Sequence, residues 1–304
     1  MMRIVSFLPS ATELIFELGS GKELVGVTHE CNHPEQAKTI PRVINSVFDP
    51  LTLTSLQIDD KIQELVKSGS AIFVVNEENI KNAKPDLIIG QGTCAVCSAY
   101  TTEINKAMEI LDKKPDVEVI DPHNIDEILD SVCLIAKKIG QESRGNELVK
   151  SLRERISKIQ NQDHDKRPRV LCIEWIDPFF TSGHWIPQMI EIAGGTNLLS
   201  STGEHSRKMT LEEVTVADPD IIIMMPCGFD TQRTVSECIN HLKKNAQWQN
   251  LRAVKSGNIF AVDANSYFSK PSIRTIIGIE ILAKIIHPEK FYSLTIPKDG
   301  FTKI

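Results

Sequence analysis

Residues 125–159 read IDEILDSVCLIAKKIGQESRGNELVKSLRERISKI, and the spacing of their apolar side chains divides the whole chain. Ile128, Leu129, Val132, Ile135, Ala136, Ile139, Leu148, Leu152, Ile156 and Ile159 recur at helical intervals. Proline is absent and only Gly140 and Gly145 weaken the pattern, so the segment predicts one long helix or two nearly continuous ones. The polar run from Asn161 to Pro168 ends it.

On both sides of this segment the pattern is different. Before it, short apolar runs alternate with helix-period stretches. Strands are expected at Ile4–Leu8, Leu24–Thr28, Ile72–Val75, Pro85–Gly90 and Val117–Ile120, with helices near Pro9–Gly19 and Asp59–Ser68. Ser10, with Glu13 three residues on, predicts a capping box for the first helix. After the segment the rhythm restarts. Strands are expected at Val170–Glu174, Ile221–Met225 and Ile259–Val262, with helices at Pro187–Ala193 and Ile273–Ile286. Strands alternating with helices imply parallel βαβ units. The expected fold is α/β: two Rossmann-like parallel-sheet lobes, residues 1–122 and 167–304, joined by a backbone helix at 123–166.

Composition narrows the function. The 304 residues carry a formal net charge of −6, which argues against nucleic acid, because neutralising phosphates needs a basic face. No apolar run is long enough to span a bilayer, so no membrane insertion is expected. Met1-Met2-Arg3 runs straight into the first strand without a secretory leader, so the expected location is cytoplasmic. Seven cysteines in such a chain favour metal binding or burial over a disulfide framework. Cys133 and Cys172 sit in apolar patterns and are expected in the core.

In open parallel sheets ligands bind beyond the carboxyl ends of strands, so the residues following each strand are the candidates. His29, Glu30 and Cys31 follow the second strand, and Cys94 and Cys97 follow the Pro85–Gly90 strand. These types hold borderline or soft transition metals such as zinc, copper or iron, or an iron–sulfur cluster. Packing and redox chemistry are the alternatives for the same cysteines. In the second lobe, Glu174-Trp175-Ile176-Asp177-Pro178 and Gly183-His184-Trp185 follow one strand, and Tyr267 and Phe268 follow another. Trp175, His184, Trp185, Tyr267 and Phe268 would give a flat, partly apolar ligand both ring surface and polar contacts. No Gly-x-Ser-x-Gly elbow, Walker loop or Gly-x-Gly-x-x-Gly fingerprint is present.

Ser6-Phe7-Leu8-Pro9-Ser10-Ala11-Thr12-Glu13 resembles the opening of cobalamin- and iron-siderophore-binding proteins of ABC transporters. Pro85-Asp86-Leu87-Ile88 and Asp218-Pro219-Asp220-Ile221-Ile222 are similar to a strand that this family carries in each lobe. Gly26 to Pro34, the Cys94/Cys97 loop, Glu174 to Pro178, Gly183 to Trp185 and Tyr267 to Arg274 resemble its cobalamin-binding subgroup. The resemblance runs from Arg3 to about Pro288. It implies the helical-backbone, class III periplasmic-binding-protein fold, with a metal-containing small molecule (cobalamin, haem or a metal chelate) held in an inter-lobe cleft. An ABC transporter would be the partner of an exported form, and cytosolic binding or trafficking the role of a retained one. A metal- or thiol-dependent enzyme built on Cys31, Cys94, Cys97 and Glu30 is the competing reading.

Overall fold

The computed structural model describes residues 1–92, 99–163 and 166–304, with only the helical backbone at 99–101. The chain divides into two compact units: residues 1–53, 60–122 and 126–150 form one, and residues 54–59, 123–125 and 151–304 the other.

The first unit carries six strands: β1 (Ile4–Ser6), β2 (Leu24–Thr28), β3 (Arg42–Ser46), β4 (Phe73–Val75), β5 (Leu87–Gln91) and β6 (Asp116–Ile120), in the spatial order β4-β3-β2-β1-β5-β6. All neighbours are parallel except β3 and β4. Ile4 and Val5 of β1 and Ile88 and Ile89 of β5 have no exposed surface, as strands covered on both faces require. Chain order reverses between β1 and β5, so the loops leaving these two strands flank the switch point.

The second unit carries β7 (Arg169–Trp175), β8 (Phe180–Thr181), β9 (Thr196–Asn197), β10 (Ile221–Met224), β11 (Ile259–Val262) and β12 (Phe301–Lys303). The order is β12-β11-β10-β7-β8, with β9 also pairing β7. β7, β9, β10 and β11 run parallel, while β8 and β12 are antiparallel additions. Leu171, Ile173, Ile222 and Met224 anchor a core that includes Trp248 and Cys238.

Both sheets are therefore mixed rather than purely parallel. β3, β8, β9 and β12 were not expected; they are short or polar, and neighbouring strands specify them more than their own residues do. The connecting segment forms two helices, Ile125–Lys138 and Glu142–Gln160, broken where Gly140 adopts φ +71°. Cys172 is fully buried as expected, whereas Cys133 is only partly buried, its Sγ 3.7 Å from Asn146 Oδ1.

The helix Thr275–Ile286 is buried on nearly every side, and its one acidic residue, Glu280, is met by a forked ion pair. Arg155 Nε and Nη2 donate to the two Glu280 carboxylate oxygens at 2.8 and 2.7 Å. Removing Arg155 would strand a carboxylate among isoleucines. Because a third of the Arg155 side chain stays in solvent, Arg155→Ala is expected to destabilise by about 2–3 kcal/mol rather than the full cost of breaking a buried pair. Urea unfolding of the variant against wild type measures this, and Glu280→Gln should lose less.

Candidate functional site

In the first unit the chain leaves β1 and enters the helix Pro9–Glu17 with Pro9 at its first turn, where a missing N–H costs nothing. The expected Ser10/Glu13 capping box does not form. The N-cap is Leu8, without a side-chain cap, and Ser10 lies buried inside the helix. Ser6 and Thr12 hydroxyls both donate to the Leu8 carbonyl instead, at 2.8 and 3.4 Å.

Thr12 also lies 3.2 Å from Cys31 Sγ, and Thr28 Oγ1 lies 3.3 Å from the same sulfur. Cys31 is 1% exposed, and burial pushes its thiol above the ordinary value, more than the two hydroxyls pull it down. Arg42, on a strand that was not expected, ties the following turn by donating to the carbonyls of Thr28 and Cys31 at 2.9 and 3.0 Å. His29 is partly exposed, with its ring 5.7 Å from Phe73, while Glu30 is exposed.

The sulfur of Cys31 thus points into protein, away from the solvent that Glu30 faces. Among the described residues no three His, Cys, Asp or Glu side chains converge to hold a metal as they stand. The His29–Glu30–Cys31 grouping accordingly has no ligand geometry of its own. Cys94 and Cys97 lie outside the described residues.

In the second unit the candidate residues lie at the carboxyl ends of β7, β10 and β11. Trp175 ends β7, half-buried, with its indole N–H donating to the Ser55 carbonyl at 3.2 Å. Its ring meets Phe229 edge-on at 5.4 Å, and the Arg233 guanidinium lies 3.6 Å from the other ring's centre. Phe229 and Arg233 sit at the start of the helix Thr231–Leu242, whose N-cap is Asp230 accepting from the Arg233 N–H at 2.8 Å. After β11, Asp263 caps the short helix Ala264–Tyr267, and the Arg274 guanidinium lies 5.4 Å from the Tyr267 ring centre.

Trp185 and Phe268 differ from expectation. Trp185 is 5% exposed and Phe268 2%, and the Trp185 indole N–H donates to the Phe268 carbonyl at 3.0 Å. Their rings are committed to the core, because an indole that finds its partner inside is more favourably buried than left wet. Trp175, Tyr267 and His184 remain partly accessible.

Sequence reasoning missed a clamp on residue 55. Ser55 N–H and Oγ–H donate to Glu237 Oε1 at 2.6 and 2.7 Å, and Glu237 is 8% exposed. His241 stands beside Glu237 and Asp177, 3.4 Å from each carboxylate. Ser55 begins the helix Ser55–Lys67, so the carboxylate satisfies N–H and dipole at a helix start. A separation of 182 residues hides this pair from any local pattern. The turn Pro226–Asp230, with Phe229, is legible as the segment that follows the Ile221–Met225 strand, whereas Arg233, in the first turn of the next helix, was missed.

Thiol chemistry gives a direct test of these placements. Burial raises Cys172 well above the ordinary thiol value and pushes Cys238 up to about 12, leaving about 10⁻⁴ of Cys238 as thiolate at pH 8. Cys227 is exposed. Iodoacetamide at pH 8, mapped by mass spectrometry, should modify Cys227 in the native protein. Cys31, Cys172 and Cys238 should react only after addition of urea.

A family model described as periplasmic binding protein matches residues 4–266. The ABC transporter substrate-binding lipoprotein YvrC of Bacillus subtilis, itself uncharacterised, is 25% identical over 297 residues, covering 95% of this chain and 81% of its own. The vitamin B12-binding protein of Vibrio cholerae is 23% identical over 282 residues, covering 91% and 86%. Among solved structures, Staphylococcus aureus IsdE complexed with heme matches with a TM-score of 0.71 and 18% identity, covering 94% of this chain and 99% of that one. These findings overturn the cytoplasmic expectation, since the relatives are substrate-binding lipoproteins and periplasmic proteins. That expectation rested on how the sequence begins, which does not report where the protein works.

Proposed function

We propose, for a chain that belongs to the periplasmic binding protein family, that it reversibly binds a metal-containing organic ligand (a corrinoid, haem or an iron chelate) and presents it to an ABC importer. The observation that carries this reading is the pairing of ring surface with fixed cations at the carboxyl ends of β7, β10 and β11. Trp175 and Tyr267 offer partly accessible aromatic faces, and Arg233 and Arg274 lie against Phe229 and Tyr267. A flat macrocycle or chelate bearing carboxylates or phosphate matches both features: stacking supplies area, and guanidinium groups recognise oxyanions by paired donors. Nothing covalent is required of the protein. Among the described residues, Cys31 is buried in the first unit and its burial raises the thiol above its ordinary value.

Ser55 and Glu237 serve this site indirectly. The Ser55 carbonyl holds the Trp175 indole, and Glu237 holds Ser55, so the orientation of the ring is fixed two hydrogen bonds away. Such support matters because an aromatic platform that must order itself on binding loses affinity to entropy.

Titration with hydroxocobalamin, haemin and ferric citrate, followed by tryptophan quenching and calorimetry, identifies the ligand. One of the three is expected to saturate at one per chain. Trp175→Ala should weaken that binding about tenfold, or about 1.4 kcal/mol, and Trp175→Phe by much less. Failure of all three to saturate would overturn the reading.

A further inference from the structure

Three histidines of the second unit stand together: His123, His184 and His205. Their ring centres are 5.6 Å apart for His123 and His184, 5.9 Å for His123 and His205, and 4.9 Å for His184 and His205. They come from three separate stretches of chain, so local sequence did not bring them into one place.

The backbone holds them there. His184 adopts φ +52°, a left-handed conformation that a β-carbon disfavours. Its N–H donates to the Glu204 carbonyl at 2.6 Å, and its own carbonyl accepts from Gly203 N–H at 2.9 Å. Gly183 lies so close to the same loop that a β-carbon there would sit 2.5 Å from Ser206 N and 2.8 Å from Glu204 O. The segments bearing His184 and His205 are thus stitched directly to each other. Thr181 N–H extends the seam by donating to the Arg207 carbonyl at 2.9 Å. On the third side, Ile125 N–H, two residues from His123, donates to Gln188 Oε1 at 2.7 Å, four residues from His184. Trp185, buried and 5.6 Å from the His184 ring, forms an apolar wall.

We propose that His123, His184 and His205 form a three-imidazole site for a late first-row divalent cation, of the class of Zn²⁺ and Co²⁺. Imidazole nitrogens bind such ions at about 2.0–2.1 Å, which puts each ring centre about 3.2 Å from the metal. Three rings at tetrahedral angles then have centres about 5.2 Å apart, within the range spanned by the three separations here. As they stand the ring nitrogens do not converge. A half-turn about Cβ–Cγ exchanges nitrogen for carbon positions on an imidazole and leaves its centre in place, so loading proceeds by ring rotation on a fixed backbone. Three imidazoles form a donor set of the kind that suits zinc-class ions. This site uses side chains other than the Trp175 and Tyr267 of the ring platform, and other than Cys31, which belongs to the first unit.

The test is calorimetry of untagged, chelator-stripped protein with Zn²⁺ alone, together with the visible spectrum of the Co²⁺ form. One zinc per chain with a Kd of about 1 µM or tighter, and four-coordinate Co²⁺ bands, are expected. His184→Asn keeps a residue that tolerates the left-handed backbone, and His205→Gln lies in an exposed loop, so both variants should fold as judged by circular dichroism. Each should weaken zinc at least thirtyfold, whereas a Cys31→Ser/Cys94→Ser/Cys97→Ser variant should bind as wild type. Absence of saturable zinc binding, or wild-type affinity in the His184→Asn/His205→Gln double variant, would overturn the site. Zinc lost only in the cysteine variant would assign the ion to the thiols and equally overturn it. None of these outcomes bears on cobalamin, haem or ferric citrate binding, so the two proposals fail separately.

Discussion

Burial of the central strands on both faces is the constraint from which everything else follows. β1, β5, β7 and β10 are lined by residues with almost no solvent contact, so their backbone groups can be satisfied only by neighbouring strands. A sheet under that constraint has no room for polar chemistry along its length. Charged and hydrogen-bonding side chains are displaced to strand ends, and in parallel strands those ends gather on one edge. The edge carrying Trp175, Phe229 and Tyr267 exists because the strands beneath it admit nothing polar.

That displacement leaves the polar groups to organise one another. Glu237 takes both donors of Ser55, whose carbonyl in turn takes the Trp175 indole, and His241 lies between Glu237 and Asp177. Each member is half-buried or more, where a lost partner is expensive. The same logic operates at Glu280, which is tolerated in a nearly all-apolar helix only because Arg155 reaches both of its oxygens. It also accounts for Cys31. Two threonine hydroxyls give the thiol local partners, and burial raises it above its ordinary value more than those partners lower it.

The fold was largely legible in the residues. β2 and β11 fall at the bounds that their apolar runs predict, and β1, β5, β6, β7 and β10 lie within a residue or two. Strands that depend on partners were not legible: Arg42–Ser46 has only Val43-Ile44 between polar residues and is held between β2 and β4, while Phe301–Lys303 pairs along the edge that β11 leaves open. Side-chain roles were read less well. Trp185 and Phe268 looked like ligand surface because they are aromatic and follow strands. Whether a ring at such a position faces in or out depends on a carbonyl 83 residues away, which no local pattern contains. His184 was singled out for its place after β7, but His123 and His205 were not. Only tertiary structure joins three stretches of chain at one point.

The clamp on Ser55 also bears on how this chain can be made and cut. Residues 54–59 belong with 151–304, although the chain between them builds most of the other unit. On the ribosome, the segment that will meet Glu237 emerges some 180 residues before its partner does, and it must wait, solvated, until nearly four-fifths of the polypeptide has been synthesised. A fragment starting at residue 151 would contain every strand of the second sheet, yet it would leave the Glu237 carboxylate without the donors that hold it. A cut between the two sheets therefore also divides the second unit from the segment that supplies its Glu237 with donors.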